Sequence, residues 1–303
     1  MATWASTPQQ VSNSRFESAD NPPWAHDNDG PEIISEGFET QSQTEESLTQ
    51  PLGQNKSSKP AAAGPAFGQK VALYLSHVLA IVALGMVSAL VNDQGMGGGG
   101  LSWEEGQSKK VFNWHPLMMV LAFILMTLAS LAFRNPFSCS DRWKKKMYHG
   151  LMWVLAATCM MVGMIAVVKS HNDAVSGYIA NLYSLHSWIG IAVLSLYSIQ
   201  FVGGVTFFGF QIGTGSLRAR MLSLHQFLGP VIYFAMVMTI LLGLQEKEGF
   251  IGCSYTVTEA DLRPYQHFNE IPYVCRLSHG LGIVIFTMAL TTAYALYNFP
   301  EDE

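Results

Sequence analysis

Polar and apolar positions along this chain are sorted into long blocks. The stretches 71–92, 111–133, 147–168, 174–217 and 221–245 contain no Asp, Glu, Lys or Arg, and a sixth such stretch runs 277–300. About 20 consecutive apolar residues cross the roughly 30 Å hydrocarbon core of a bilayer. The pattern predicts six membrane-spanning helices, at about 71–91, 115–133, 147–168, 185–210, 223–244 and 275–298. The expected fold class is an all-α membrane protein.

The first 66 residues differ in kind. They are rich in Ser, Gln, Asn, Pro and Glu, with nine acidic residues against Arg15, Lys56 and Lys59. So little apolar surface cannot offset the loss of chain entropy, and a disordered tail is expected over 1–66, followed by a membrane domain over 67–303. No basic segment followed by an apolar core stands at Met1, so a cleaved signal peptide is not expected.

Composition adds two points. Only 13% of the 303 residues are charged, and the net charge of −5 owes most to the tail, so no nucleic-acid partner is expected. The basic residues cluster in alternate loops. "RNPFSCSDRWKKK" holds Arg134, Arg142, Lys144, Lys145 and Lys146, and Arg218 and Arg220 stand between the fourth and fifth helices. The positive-inside rule then places both termini in the cytoplasm. Cys253 and Cys275 fall on the opposite side, where a disulfide and two free thiols are both open. Cys139 and Cys159 have no evident partner, and no CxxCH stands in the chain for covalent haem attachment.

The candidate chemistry lies in four histidines. His115, His149, His186 and His225 each open one of four successive helices, the second to the fifth. Neighbouring helices run in opposite directions, so His115 and His186 share the outer depth while His149 and His225 share the inner one. A single membrane histidine is more often packing than ligand, but four at matching positions point to function. Two imidazoles at one depth suit the two axial positions of a haem iron, whereas zinc usually takes four protein ligands. Small residues that would let a flat ring approach are Gly150, Gly190, Gly203, Gly204 and Gly229. Trp188, Tyr197 and Phe201 are candidates to fill the space between the two levels, a placement that ordinary membrane packing explains equally well, and His77 and His279 read as satisfied packing residues.

The motifs "FNWHPLMM", "KKKMYHGL", "NLYSLHSW" and "LRARMLSLHQFLG" resemble those of the cytochrome b561 family of transmembrane ascorbate-dependent oxidoreductases, over roughly 70–298. The resemblance implies six helices with a central four-helix core and two non-covalent b haems, the outer between His115 and His186 and the inner between His149 and His225. It implies a homodimer embedded in lipid. It also implies a cytoplasmic ascorbate site at Lys146 and Arg218, assisted by Lys145 and Arg220, and an acceptor site for monodehydroascorbate or a ferric chelate at His171, Asn181 and Tyr183. Lys146, Arg218 and His171 would be the residues acting in electron entry and exit. The segment "DAVSGYIA" between His171 and His186 is a short insertion relative to some members. The membrane would be that of an endomembrane vesicle, a vacuole or lysosome, or the cell surface.

Two rival readings share parts of this pattern. One is a haem-anchoring subunit of a larger redox assembly, without its own ascorbate site. The other is a haem-free carrier or scaffold whose histidines hydrogen-bond between helices, although the helices lack the buried carboxylates that midplane ion sites use.

Overall fold

The computed structural model describes residues 67–94, 99–134, 141–253 and 271–297. The acidic segment 1–66, Cys139 and most of the loop between the last two helices lie outside the described residues.

The described chain is helical throughout its long elements. These are α1 (Phe67–Asn92), the short α2 (Ser108–Phe112), α3 (Trp114–Leu131), α4 (Arg142–His171), α5 (Leu185–Gly204), α6 (Gly215–Phe250) and α7 (Tyr273–Leu296). A π-helical turn, Val205–Gly209, follows α5. Six of the spans are long and apolar enough to cross a membrane, with α2 continuing into α3 as one of them.

Several helices outrun their charge-free stretches. α4 begins at Arg142 instead of about 147, and α6 spans 36 residues. Charged residues end the hydrocarbon-compatible stretch, but Lys, Arg and Glu are good helix formers and do not end the helix. What sets the starts is capping: the Asp141 carboxylate accepts from Trp143 N at 2.9 Å, Ser184 Oγ from Ser187 N at 3.2 Å, and Thr214 Oγ1 from Leu217 N at 3.3 Å.

Packing follows the hairpins. α3 lies along α4 and α5 along α6, while α1 pairs with α7 and covers α3. A core of Ala83, Val87, Phe123, Met126, Ile285 and Met288 joins α1 and α7 to α3, with α6 contributing Met236 and Ile240. Phe123 stacks on Tyr233 at 5.0 Å, and the Tyr233 hydroxyl meets Thr127 Oγ1 at 2.8 Å, so the polar end of this aromatic is satisfied at mid-depth. α4 and α5 make little direct backbone contact. They are bridged by side chains: Tyr197 Oη donates to the Trp153 carbonyl at 2.7 Å and its ring lies 5.4 Å from the indole. Cys253 and Cys275 are joined by a disulfide, tying the end of α6 to the start of α7.

Candidate functional site

The two helix hairpins, α3/α4 and α5/α6, face each other, and the histidines meet across the space between them. The rings of His115 (α3) and His186 (α5) have centroids 6.1 Å apart. At the other end, those of His149 (α4) and His225 (α6) are 6.3 Å apart. Each pair takes one helix from each hairpin, and the pairs are those expected from depth.

Three of the four imidazoles are also held from behind. His115 Nδ1 meets the Gly163 carbonyl at 3.1 Å, His149 Nδ1 the Ala129 carbonyl at 2.8 Å, and His186 Nδ1 the Thr239 carbonyl at 2.9 Å. A carbonyl can only accept, so Nδ1 carries the proton and the lone pair is left on Nε2, the form in which histidine binds a metal. His225 is the exception. Its Nδ1 is buried without a partner among the described residues, while its backbone carbonyl accepts from Gln200 Nε2 at 2.8 Å.

A single register underlies these contacts. Ala129 lies 14 residues after His115, Gly163 after His149, Gln200 after His186, and Thr239 after His225. Each helix thus gives a histidine to one level and, about 21 Å along its axis, a hydrogen-bonding group to a histidine of the other level. Fourteen residues also return to nearly the same helix face.

The residues fit a flat, iron-bearing macrocycle. Among the described residues no three His, Cys, Asp or Glu side chains gather around one point, as a bare zinc site would need. Glycines lie against the imidazoles: a Cβ on Gly243 would stand 2.7 Å from His186 Cε1, and one on Gly204 would stand 3.6 Å from His225 Cε1. Two buried indole N–H groups, Trp114 Nε1 beside His115 and Trp153 Nε1 near His149, find no acceptor among the described residues. Of the glycines expected to line such a ring, Gly204 does face a histidine and Gly190 packs on Thr239, whereas Gly150, Gly203 and Gly229 face open space. The sequence does not mark Gly163 and Gly243, because nothing in it says which helix face turns inward. Trp188 is 64% exposed, which fits its alternative reading as membrane packing. Tyr197 and Phe201 stack at 6.1 Å, and Tyr197 lies inward against Trp153.

Lys146 and Arg218 come together at the inner mouth. They line a cavity of about 330 Å³ with Phe207, Phe208, Gln211 and Leu222, while Lys145 and Arg220 are not among its walls. Lys146 Nζ donates to the Phe208 carbonyl at 3.2 Å, and Arg218 Nη1 donates to the carbonyls of Gln211 and Gly213 at 2.8 and 2.9 Å. Both cations therefore shape the turn after α5 and keep further N–H donors for a ligand. Phe208 links this cavity to the inner pair, its ring 5.3 Å from that of His225.

At the outer mouth the structure gathers His171, Asn181 and Tyr183. His171 Nδ1 meets Asn181 Oδ1 at 3.1 Å, and its ring lies 6.4 Å from Tyr183. The Tyr183 hydroxyl donates to Glu246, and burial together with that carboxylate pushes the phenol above its ordinary range. Within the segment between His171 and His186, Asp173 accepts from the N–H groups of Gly106, Val175 and Ser176. Burial acts to raise the Asp173 carboxyl, but these hydrogen bonds outweigh it and hold the group below the usual range. Among the described residues, the two non-glycine residues with left-handed backbone, Leu182 (φ 56°) and Gln211 (φ 57°), stand one at each mouth. Such conformations cost about 1–2 kcal/mol and concentrate at functional sites.

Among known proteins, the family model for eukaryotic cytochrome b561 matches residues 114–251. A transmembrane ascorbate-dependent reductase of Bos taurus is 34% identical over 238 residues, covering 78% of this chain and 85% of its own length. A transmembrane ascorbate ferrireductase of Arabidopsis thaliana is 34% identical over 184 residues, covering 59% and 72%. A lysosomal membrane ascorbate-dependent ferrireductase of Mus musculus is 32% identical over 200 residues, covering 65% and 77%.

Proposed function

The chain belongs to the eukaryotic cytochrome b561 family, and on that premise we propose that it passes electrons across a membrane from ascorbate at the cytoplasmic face to monodehydroascorbate or ferric iron at the opposite face. The observation that carries this reading is the pair of imidazole pairs at two depths, 6.1 and 6.3 Å between centroids, on the helices where the family model matches. Haem b, bound at each pair, would supply a reversible one-electron couple.

The chain's own residues do the rest. His115 and His186 hold the outer group, and His149 and His225 the inner one. Backbone carbonyls fix the tautomer of His115, His149 and His186. Lys146 and Arg218 attract the ascorbate monoanion to the inner cavity, and Phe208 forms the wall between that anion and His225. Lys145 and Arg220 raise the local positive potential without contacting the ligand. His171, Asn181 and Tyr183 receive the acceptor outside. Both termini are cytoplasmic in this reading, and the exposed apolar faces of α4 and α5 meet lipid or a second copy of the chain.

The test uses the purified full-length protein in vesicles with ferric chelate or monodehydroascorbate trapped inside, and ascorbate outside as sole donor. The expected result is a b-type reduced-minus-oxidised spectrum that appears on mixing, followed by reduction of the trapped acceptor. A preparation with b-type absorbance that only dithionite reduces would refute ascorbate as the donor.

A further inference from the structure

Outward of the His115/His186 pair, two basic side chains meet at one aromatic ring. Phe112 stacks on His171 with centroids 6.5 Å apart and planes 4° from parallel. Lys247 Nζ lies 5.1 Å from the centroid of the same ring. Both basic residues are deeply buried, with exposures of 9% for His171 and 8% for Lys247.

Their places in the fold correspond. His171 stands eight residues beyond Gly163, whose carbonyl holds His115, and Lys247 stands eight residues beyond Thr239, whose carbonyl holds His186. Positions four and eight apart share a helix face. On α6 the middle position is Gly243, packed against His186. Thr239, Gly243 and Lys247 therefore form one stripe, from the acceptor that fixes the imidazole, past the small residue beside it, to a cation about two turns outward.

A buried ammonium is costly unless something compensates its charge. Lys247 Nζ donates to Asn113 Oδ1 at 3.2 Å, a neutral partner, and uses one of its three donors there. The adjacent acids are engaged elsewhere. Glu246 accepts from Tyr183 and from Ser184 Oγ, and Glu248 Oε2 lies 3.3 Å from His279 Nε2. Among the described residues no carboxylate oxygen comes within 4.0 Å of Lys247 Nζ, the reach of an ion pair.

Resting on the haem reading above, we propose that Lys247 is the charge partner of a carboxylate on the outer haem, anchoring that group against His186 and raising its affinity for an electron. The sign follows from electrostatics: a nearby cation stabilises the more negative, reduced state. A free anionic acceptor would present the same chemistry to the ammonium, and the experiment separates the two sources.

Redox titration of both haems is followed in the full-length protein and in Lys247→Gln, Lys247→Met and Lys247→Arg. Gln keeps a donor toward Asn113 but lacks the charge, and Met suits the apolar wall. In both neutral variants the outer haem's reduction equilibrium is expected to move about tenfold toward the oxidised form, about 59 mV for one electron. Loss of the outer haem alone would support the same conclusion. The inner haem keeps its potential and reports an intact fold, and Lys247→Arg restores the parent value. Full haem content with an unchanged outer potential overturns the inference. The same result with weakened binding of the anionic acceptor overturns it in favour of the free anion. A parent protein without two b-type components refutes the haem reading itself, a distinct outcome.

Discussion

Gln200 donates from Nε2 to the backbone carbonyl of His225 at 2.8 Å, at the inner level of the bundle, although it lies on the helix that carries His186 of the outer level. Gln200 stands 14 residues beyond His186, so α5 reaches from the outer pair to the inner one. The same register joins His115 to Ala129, His149 to Gly163 and His225 to Thr239. The two levels are held by one set of helices and cannot shift independently.

The histidines are expected to act in pairs. His115→Leu and His186→Leu should each lose the outer haem and leave about half the haem content, since one iron loses one of its two axial ligands. His149→Leu and His225→Leu should each lose the inner one. Pyridine haemochrome content and redox titration of each variant check this. Different haems lost from His115→Leu and His186→Leu would break the pairing.

Glycine substitutions should separate by depth. A Cβ on Gly243 meets His186 Cε1 at 2.7 Å, and that ring cannot easily retreat because Thr239 holds its Nδ1. Gly243→Ala should therefore deplete the outer haem. Gly204→Ala, at 3.6 Å from His225, is ordinary van der Waals contact and should be tolerated. Equal haem content in the two variants would show that the outer ring has room to move.

Lys146→Ala and Arg218→Ala should weaken apparent ascorbate affinity about ten- to a hundredfold, because a charge-assisted hydrogen bond is worth about 1.5–3 kcal/mol and 1.4 kcal/mol is tenfold. Both haems should remain, and reduction by dithionite should be normal. Lys145→Ala and Arg220→Ala, outside the cavity wall, should change affinity less. Parent-like ascorbate kinetics in Lys146→Ala and Arg218→Ala would reduce the inner basic residues to a topology signal.

Asp173 sets a pH dependence of stability. Its folded pKa is held below the unfolded value of about 3.9 by the N–H groups of Gly106, Val175 and Ser176. The stabilisation is present above that unfolded value and is lost as pH falls through the folded one. Asp173→Asn should melt at lower temperature than the parent at about pH 7, with the gap closing at an acid pH below the folded value, where the carboxyl is protonated in both states. Thermal unfolding followed at both values decides, and a gap that persists in acid would assign the effect to the loop's shape.

The sequence by itself determined the six spans, the two depths and the histidine pairs. Hydrocarbon thickness sets the length of a charge-free stretch, and alternating direction sorts helix starts between faces. Both follow from order along the chain, whereas the grouping of Lys146 with Arg218 and of His171 with Asn181 and Tyr183 was implied only by the resemblance to the cytochrome b561 family. The tertiary structure decided which face of each helix turns inward. Lipid is as apolar as a helix interface, so membrane helices carry apolar residues on every side and periodicity does not mark the buried face. Trp188 therefore read equally as a gap-filling and as a membrane-packed aromatic and is largely exposed, while nothing marked the places of Gly163 and Gly243 against the histidine pairs. The carbonyls of Ala129, Gly163 and Thr239 were equally hidden. A backbone acceptor leaves no residue-type signature, and only the packing of α3 on α4 and of α5 on α6 brings it to a histidine.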